Sequence, residues 1–141
     1  MTIFYHIVAV STNGVIGNGD DIPWYIPSDL KHFKEKTEGK CCIVGRKTYE
    51  TIKHLKNRKF VVVSRTPTTK NDNAVFVESI DEAVEYVKGK HSVCYIIGGA
   101  EIYRQTFDLV VKLFVTYVEK TFDGDAFYNI PDGKFELSVV S

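Results

Sequence analysis

Over 141 residues, 18 lysines and arginines balance 18 aspartates and glutamates, so the chain lacks the broad basic surface of a nucleic-acid or membrane-surface binder. Hydrophobic residues make up 44% and charged residues 26%, the mix of one soluble domain, and the opening run MTIFYHIVAVSTNGVIG is too broken by polar residues and glycines to be a signal peptide or a membrane span. A cytoplasmic chain is expected, with neither nucleic acid nor membrane as partner.

The run IFYHIVAV (3–10) predicts a first strand. STNGVIGNGDDIPW (11–24) follows as a long loop whose Gly, Asn and Asp are turn residues, and whose length also suits a lid over a site. SDLKHFKEKT (28–37) predicts a helix, CCIVG (41–45) a strand and RKTYETI (46–52) a short helix. KFVVVS (59–64) and AVFVE (74–78) are strands. Ser79 and Glu82 then form a capping-box pattern ahead of Ile80, Ala83, Val84 and Val87 at helical spacing, and Gly89 closes that helix. VCYIIG (93–98), AEIYRQTF (100–107) and KLFVTYVE (112–119) complete the series as strand, helix and strand. Nearly continuous apolar strands alternating with helices predict an α/β fold: one domain over 1–141, with a mainly parallel central sheet covered on both faces. Chemistry then belongs at the carboxyl ends of the strands.

The three cysteines are an odd number, and adjacent Cys41 and Cys42 would face opposite sides of a strand, so reduced thiols are expected. His6, His32, His54 and His91 have no metal-ligand spacing, and no metal is expected.

Two strands end in glycine and pass at once into a helix, at Gly45-Arg46-Lys47-Thr48 and at Gly98-Gly99-Ala100. Helix N-termini offer free N–H groups, and glycine lets a phosphate oxygen approach the backbone. Either turn alone is better explained as a tight strand-to-helix connection. Together they suit two ends of one pyrophosphate, with Ser64 and Arg65 placed to reach a further phosphate. Standard motifs do not apply: five residues rather than four separate Gly39 from Gly45, and Gly14, Gly17 and Gly19 do not fit G-x-G-x-x-G.

Asp29 follows Pro27 in the first turn of its predicted helix, where any acid is favoured by the helix dipole at about 0.3–1 kcal/mol. Yet Asp29 and Phe33 stand four residues apart on one face, beside Leu30. A carboxylate on an apolar face is a candidate for binding an amidine-like edge or managing a proton.

VIGNGDDIPWYIPSDLKHFK, VGRKTYETI, VVVSR and YIIGGAEIY stand in the order and approximate spacing of dihydrofolate reductase, and LFVTYVEKTFDGDAFY resembles that family's later strand and acidic turn. The resemblance runs almost end to end. It implies reduction of 7,8-dihydrofolate by NADPH, with hydride passing to C6 of the pterin and a proton to N5, in support of one-carbon and thymidylate metabolism. By that resemblance Asp29 is the pterin-binding carboxylate, Trp24 helps order the proton-delivering water, and Thr116 hydrogen-bonds near Asp29. Ile7, Val8, Ala9, Leu30, Phe33, Ile52 and Leu55 would line the folate pocket, Arg58 would grip the carboxylate of the glutamate tail, and Ile97 and Tyr103 would lie near the nicotinamide. Cofactor contacts would come from Ala9, Ile16, Gly17, Gly45, Arg46, Lys47, Thr48, Ser64 and Arg65, and from Gly98, Gly99, Ala100, Glu101 and Ile102. Antifolates would be expected inhibitors.

The chain departs from the family pattern at Glu78 and Glu101, acids where some relatives carry basic residues near the cofactor. It also stops at KFELSVVS, where relatives continue into a final antiparallel strand. A monomer is expected, with pairing of the open edge to a second copy as the alternative. Competing readings are a related pterin- or pyrimidine-type NADPH reductase, and a nucleotide-binding structural protein that keeps the fold with weak turnover.

Overall fold

The computed structural model describes residues 2–11, 13–17, 33–53, 55–65, 73–118, 121, 124, 126–131, 133 and 135. Six strands form the main sheet: β1 (Ile3–Ser11), β3 (Cys41–Gly45), β4 (Lys59–Val63), β5 (Ala74–Val77), β6 (Val93–Ile96) and β7 (Lys112–Val118). Their order is β5-β4-β3-β6-β1-β7, and every pair is parallel. Three helices connect them: α1 (Arg46–Ile52), α2 (Ile80–Val87) and α3 (Ala100–Gln105). Residues 33–37 are also helical, which is as much of the predicted 28–37 helix as the described residues include.

Strand side chains alternate across the sheet, and this alternation divides the core in two. Phe4, Val8, Cys41, Ile43, Val61 and Ile96 pack on one face with Ala83 and Val87 of α2 and Ile102 and Tyr103 of α3. Ile7, Cys42, Val44, Phe60, Val62, Tyr95 and Ile97 pack on the other with Tyr49 and Ile52 of α1 and with Phe33. Cys41 and Cys42 therefore do face opposite sides, and all three cysteines are buried free thiols. The central strands are apolar throughout because both faces are covered. Each fully buried Val, Ile or Phe contributes about 1.5–3 kcal/mol.

The helix predicted after Ser79 forms as expected. Ser79 Oγ accepts the Glu82 amide at 3.0 Å, while the Glu82 carboxylate reaches back to the Glu78 amide, also at 3.0 Å. Gly89 follows at φ +82°. α3 stops two residues short of the predicted 107, because the Thr106 amide bonds the Tyr103 carbonyl rather than that of Ile102. β6 ends at Ile96 rather than 98, since Gly98 has φ +118°, outside any strand.

Within the segment read as a loop lies β2 (Val15–Gly17), paired antiparallel with β8 (Ala126–Phe127). Strands this short, set among glycines and turn residues, show no alternation in sequence. They are held by their surroundings. Ser11 Oγ takes the Val15 amide at 2.9 Å, and the Tyr128 amide donates to the Gly14 carbonyl at 3.0 Å.

Candidate active site at the strand ends

β3 and β6 are parallel neighbours, yet α1 leaves β3 toward one face of the sheet and α3 leaves β6 toward the other. Adjacent strands whose following helices diverge open a crevice at their carboxyl ends, the usual ligand site of such sheets. Gly45 and the Gly98-Gly99 turn meet in that crevice: the Gly45 amide donates to the Gly98 carbonyl at 2.8 Å, and the Gly98–Gly99 peptide is cis.

Gly45 caps α1 and Gly99 caps α3, and neither helix has a side-chain cap. In contrast, α2, away from the crevice, is capped by Ser79. Both helix N-termini at the crevice thus keep amide donors for an outside acceptor. A Cβ added at Gly99 would sit 3.3 Å from Thr48 Oγ1, and one at Gly45 would meet the Ile102 side chain at 3.5 Å and the Gly98 carbonyl at 3.7 Å. Only the contact at Gly99 is tighter than ordinary packing, so that glycine in particular lets the two turns sit close. These donors and their lack of side-chain bulk fit a pyrophosphate. Arg46 and Thr48 are half-buried beside the crevice and Lys47 is exposed, while Ser64 and exposed Arg65 follow the end of the neighbouring strand β4.

Glu101 lies in the first turn of α3, but its carboxylate is drawn along the helix to Arg104 and Gln105. The hydrogen bond from Arg104 holds that carboxyl below the usual range. The acid therefore turns away from the amide donors of its own helix end.

On the α1 face, Ile7, Leu55 and Ile97 are buried together with half-buried Phe33 and Ile52. Ala9 and Thr116 are register partners on β1 and β7, and alternation puts them on this same face. Val8 does not join them. Its side chain packs on the opposite face with Ile102 and Tyr103, so only its backbone can border an α1-side pocket. Ile16 packs against that opposite cluster too, and Gly17 closes β2. Tyr103 lies beneath the diglycine turn: a Cβ at Gly98 would touch its ring at 3.4 Å, and its hydroxyl donates to the Ile7 carbonyl at 2.7 Å. Burial pushes the Tyr103 hydroxyl well above its ordinary pKa, so it remains a proton donor.

Arg58 is pre-positioned at the rim of this face. Its Nε donates to Thr37 Oγ1 at 2.9 Å, Nη2 to the Lys34 carbonyl at 2.7 Å, and Nη1 to the Lys56 carbonyl. Thr37 in turn donates to the Phe33 carbonyl at 2.7 Å. A guanidinium has five N–H donors, so each terminal nitrogen keeps one donor uncommitted among the described residues, the pair that grips a carboxylate bidentately.

Asp29, Leu30 and Trp24 lie outside the described residues. Sequence reasoning missed Thr37 and Lys34, which orient Arg58 from 21 and 24 residues away. It also left His6 unused, although a histidine alternating with Phe4, Val8 and Val10 on a strand was a visible signal.

Residues 3–139 match the family model described as dihydrofolate reductase. Similar proteins include the dihydrofolate reductase of Buchnera aphidicola subsp. Baizongia pistaciae, 42% identical over 123 residues that span 86% of this chain and 74% of that one. Dihydrofolate reductase type 6 of Proteus mirabilis is 36% identical over 140 residues, spanning 96% of this chain and 89% of the relative. Among solved structures, dihydrofolate reductase from Enterococcus faecalis complexed with NADP(H) and RAB-propyl matches with a TM-score of 0.83 and 31% identity, covering 92% of this chain and 79% of that one.

Proposed function

The chain belongs to the dihydrofolate reductase family, and from this we infer that it reduces 7,8-dihydrofolate to 5,6,7,8-tetrahydrofolate with NADPH. The observation that carries the site assignment is the meeting of two uncapped helix N-termini, at Gly45 and Gly99, in the crevice between β3 and β6. Bound NADPH supplies a hydride from its nicotinamide. The amides that open the two helices, at Arg46 for α1 and at Gly99 and Ala100 for α3, receive the pyrophosphate, with the side chains of Arg46, Lys47 and Thr48 beside it and Ser64 and Arg65 toward the ribose phosphate.

The pterin lies on the α1 face against Ile7, Ala9, Phe33, Ile52 and Leu55, with Ile97 toward the nicotinamide. An apolar wall of this kind excludes water and holds C6 in line for hydride transfer. At the far end, the open fork of Arg58 takes the glutamate-tail carboxylate. Asp29 accepts hydrogen bonds from the 2-amino group and adjacent ring nitrogen, supported by Thr116, and a water ordered by Trp24 carries the proton to N5. Asp29 is a pterin anchor in this reading rather than the direct acid, since N5 lies on the other side of the ring. The same pocket takes antifolates, and the chain works in the cytoplasm.

Loss of NADPH absorbance with dihydrofolate as sole acceptor tests the activity, and a panel of other pterins tests the substrate. Asp29→Asn is expected to lower turnover far more than it lowers NADPH affinity. Equal losses in both would remove Asp29 from the pterin site.

A further inference from the structure

His6 is fully buried on β1. Its Nε2 lies 2.6 Å from Thr106 Oγ1, just past α3, and its Nδ1 lies 3.0 Å from the Tyr128 hydroxyl, just past β8. Tyr103, Phe107 and Tyr128 enclose the ring edge-on, with centroids 4.9–5.9 Å away. Burial drives the imidazole down from 6.5 to about 3, so it is neutral and carries a single ring proton.

Which nitrogen carries that proton follows from Thr106. The Ile102 carbonyl lacks its α-helical partner, because the Thr106 amide bonds Tyr103 instead, and Thr106 Oγ1 lies 2.8 Å from that carbonyl. Oγ1 also lies 3.2 Å from the Tyr103 carbonyl, and because neither carbonyl can donate, the single hydroxyl proton goes to them, chiefly to the nearer Ile102, leaving Oγ1 to accept from His6 Nε2–H. Nδ1 is then bare and must accept from Tyr128. The direction is fixed throughout: Tyr128 O–H to Nδ1, Nε2–H to Thr106, Thr106 O–H to the Ile102 carbonyl.

The two ends of this chain are tied to different elements. The Tyr128 amide bonds the Gly14 carbonyl, next to the β2–β8 pair that frames the segment after β1. Thr106 ends a helix only six residues long, about 9 Å by the usual rise, whose other end is the Gly99 turn. We propose that Tyr128, His6 and Thr106 form one directed hydrogen-bond chain that locks the β2–β8 pair to α3, making His6 a positioning residue for the cofactor turn. The proposal rests on the reading that this turn carries the NADPH pyrophosphate.

Nitrogen-detected NMR of histidine-labelled protein gives the tautomer, and fluorescence titration with NADPH gives the affinity of Tyr128→Phe, Thr106→Val and the double variant. His6 is expected as the neutral Nε2–H tautomer. Each single variant is expected to bind NADPH about threefold to tenfold more weakly, and the double no more weakly than the worse single, since either change breaks the same chain. An Nδ1–H or charged His6, unchanged NADPH affinity in the singles despite lowered melting temperatures, or multiplying losses in the double would overturn it. Failure of the wild-type protein to bind NADPH would instead overturn the functional reading, and the tautomer measurement would stand apart from it.

Discussion

A neutral histidine in the core leaves a titration signature. Folded His6 stays neutral down to about 3, whereas the unfolded imidazole protonates near 6.5. Between those values the unfolded chain binds the extra proton. The stability contributed by His6 is therefore complete above 6.5 and declines as pH falls toward about 3, at about 1.4 kcal/mol per pH unit. Urea unfolding of wild type and His6→Leu across about pH 4 to 6 is expected to show a slope shallower by one proton in the variant; equal slopes would place the proton elsewhere. Two tyrosines offer a complementary comparison. The Tyr49 hydroxyl is buried with no hydrogen-bond partner among the described residues, while that of Tyr103 donates to the Ile7 carbonyl at 2.7 Å. An unpaired buried hydroxyl costs about 1–3 kcal/mol, so Tyr49→Phe should stabilise or leave the fold unchanged. Tyr103→Phe should destabilise it by about 1 kcal/mol, because the Ile7 carbonyl loses its donor. Thermal melts of the pair read the difference, and a matching sign for both would refute it.

At the scale of elements, what the sequence disclosed depended on whether a feature was local. The Ser79–Glu82 pattern and the spacing of Ile80, Ala83, Val84 and Val87 are contained within one helix, and that helix formed as read. Strand β3 was equally legible, and β4 and β6 were legible in all but their last residues, because burial on both faces makes them continuously apolar. β2 and β8 were not, since the pairing of Val15 with Phe127 joins segments too distant and too short to carry a pattern. The end of α3 also escaped notice, being set by which carbonyl the Thr106 amide and hydroxyl choose. Glycines separate along the same line. Gly89 and Gly98 both have positive φ, at +82° and +118°, but a Cβ at Gly89 meets nothing within 4 Å and one at Gly98 meets the Tyr103 ring. Gly89→Ala should cost only the backbone strain, about 1–2 kcal/mol. Gly98→Ala has a φ of +118°, farther from the left-handed well, and sets its methyl 3.4 Å from the Tyr103 ring and hydroxyl, so it should cost more and weaken NADPH binding as well. Chemical unfolding and NADPH titration of the two variants check this, and equal losses would mean the ring yields freely.

Across the whole molecule, the proposed function has one sheet keep two binding tasks apart. The diverging helices α1 and α3 open the crevice proposed for the cofactor at the strand ends, and the α1 face presents Ile7, Leu55 and Ile97 as an apolar wall. The two glycine turns were legible because each is a local strand-to-helix signal, but their joining by the Gly45–Gly98 hydrogen bond is a property of strand order, which no local pattern encodes. The placement of Val8 illustrates the same limit. It sits between Ile7 and Ala9 in sequence and on the opposite face from them in space. Arg58 tests the separation of tasks directly, because it stands at the rim of the α1 face and is held by Thr37 and Lys34 rather than by the glycine turns. Arg58→Ala should raise the dihydrofolate dissociation constant by at least about tenfold, the loss of a charge-assisted bidentate pair, with NADPH affinity nearly unchanged. Thr37→Val should give a smaller loss in the same direction, since Nε then lacks its acceptor and the fork is less firmly aimed. If Arg58→Ala weakened NADPH as much as dihydrofolate, the two sites would be mechanically coupled through the sheet and the division by face would be wrong. If Thr37→Val matched the full Arg58→Ala loss, orientation rather than charge would govern tail binding.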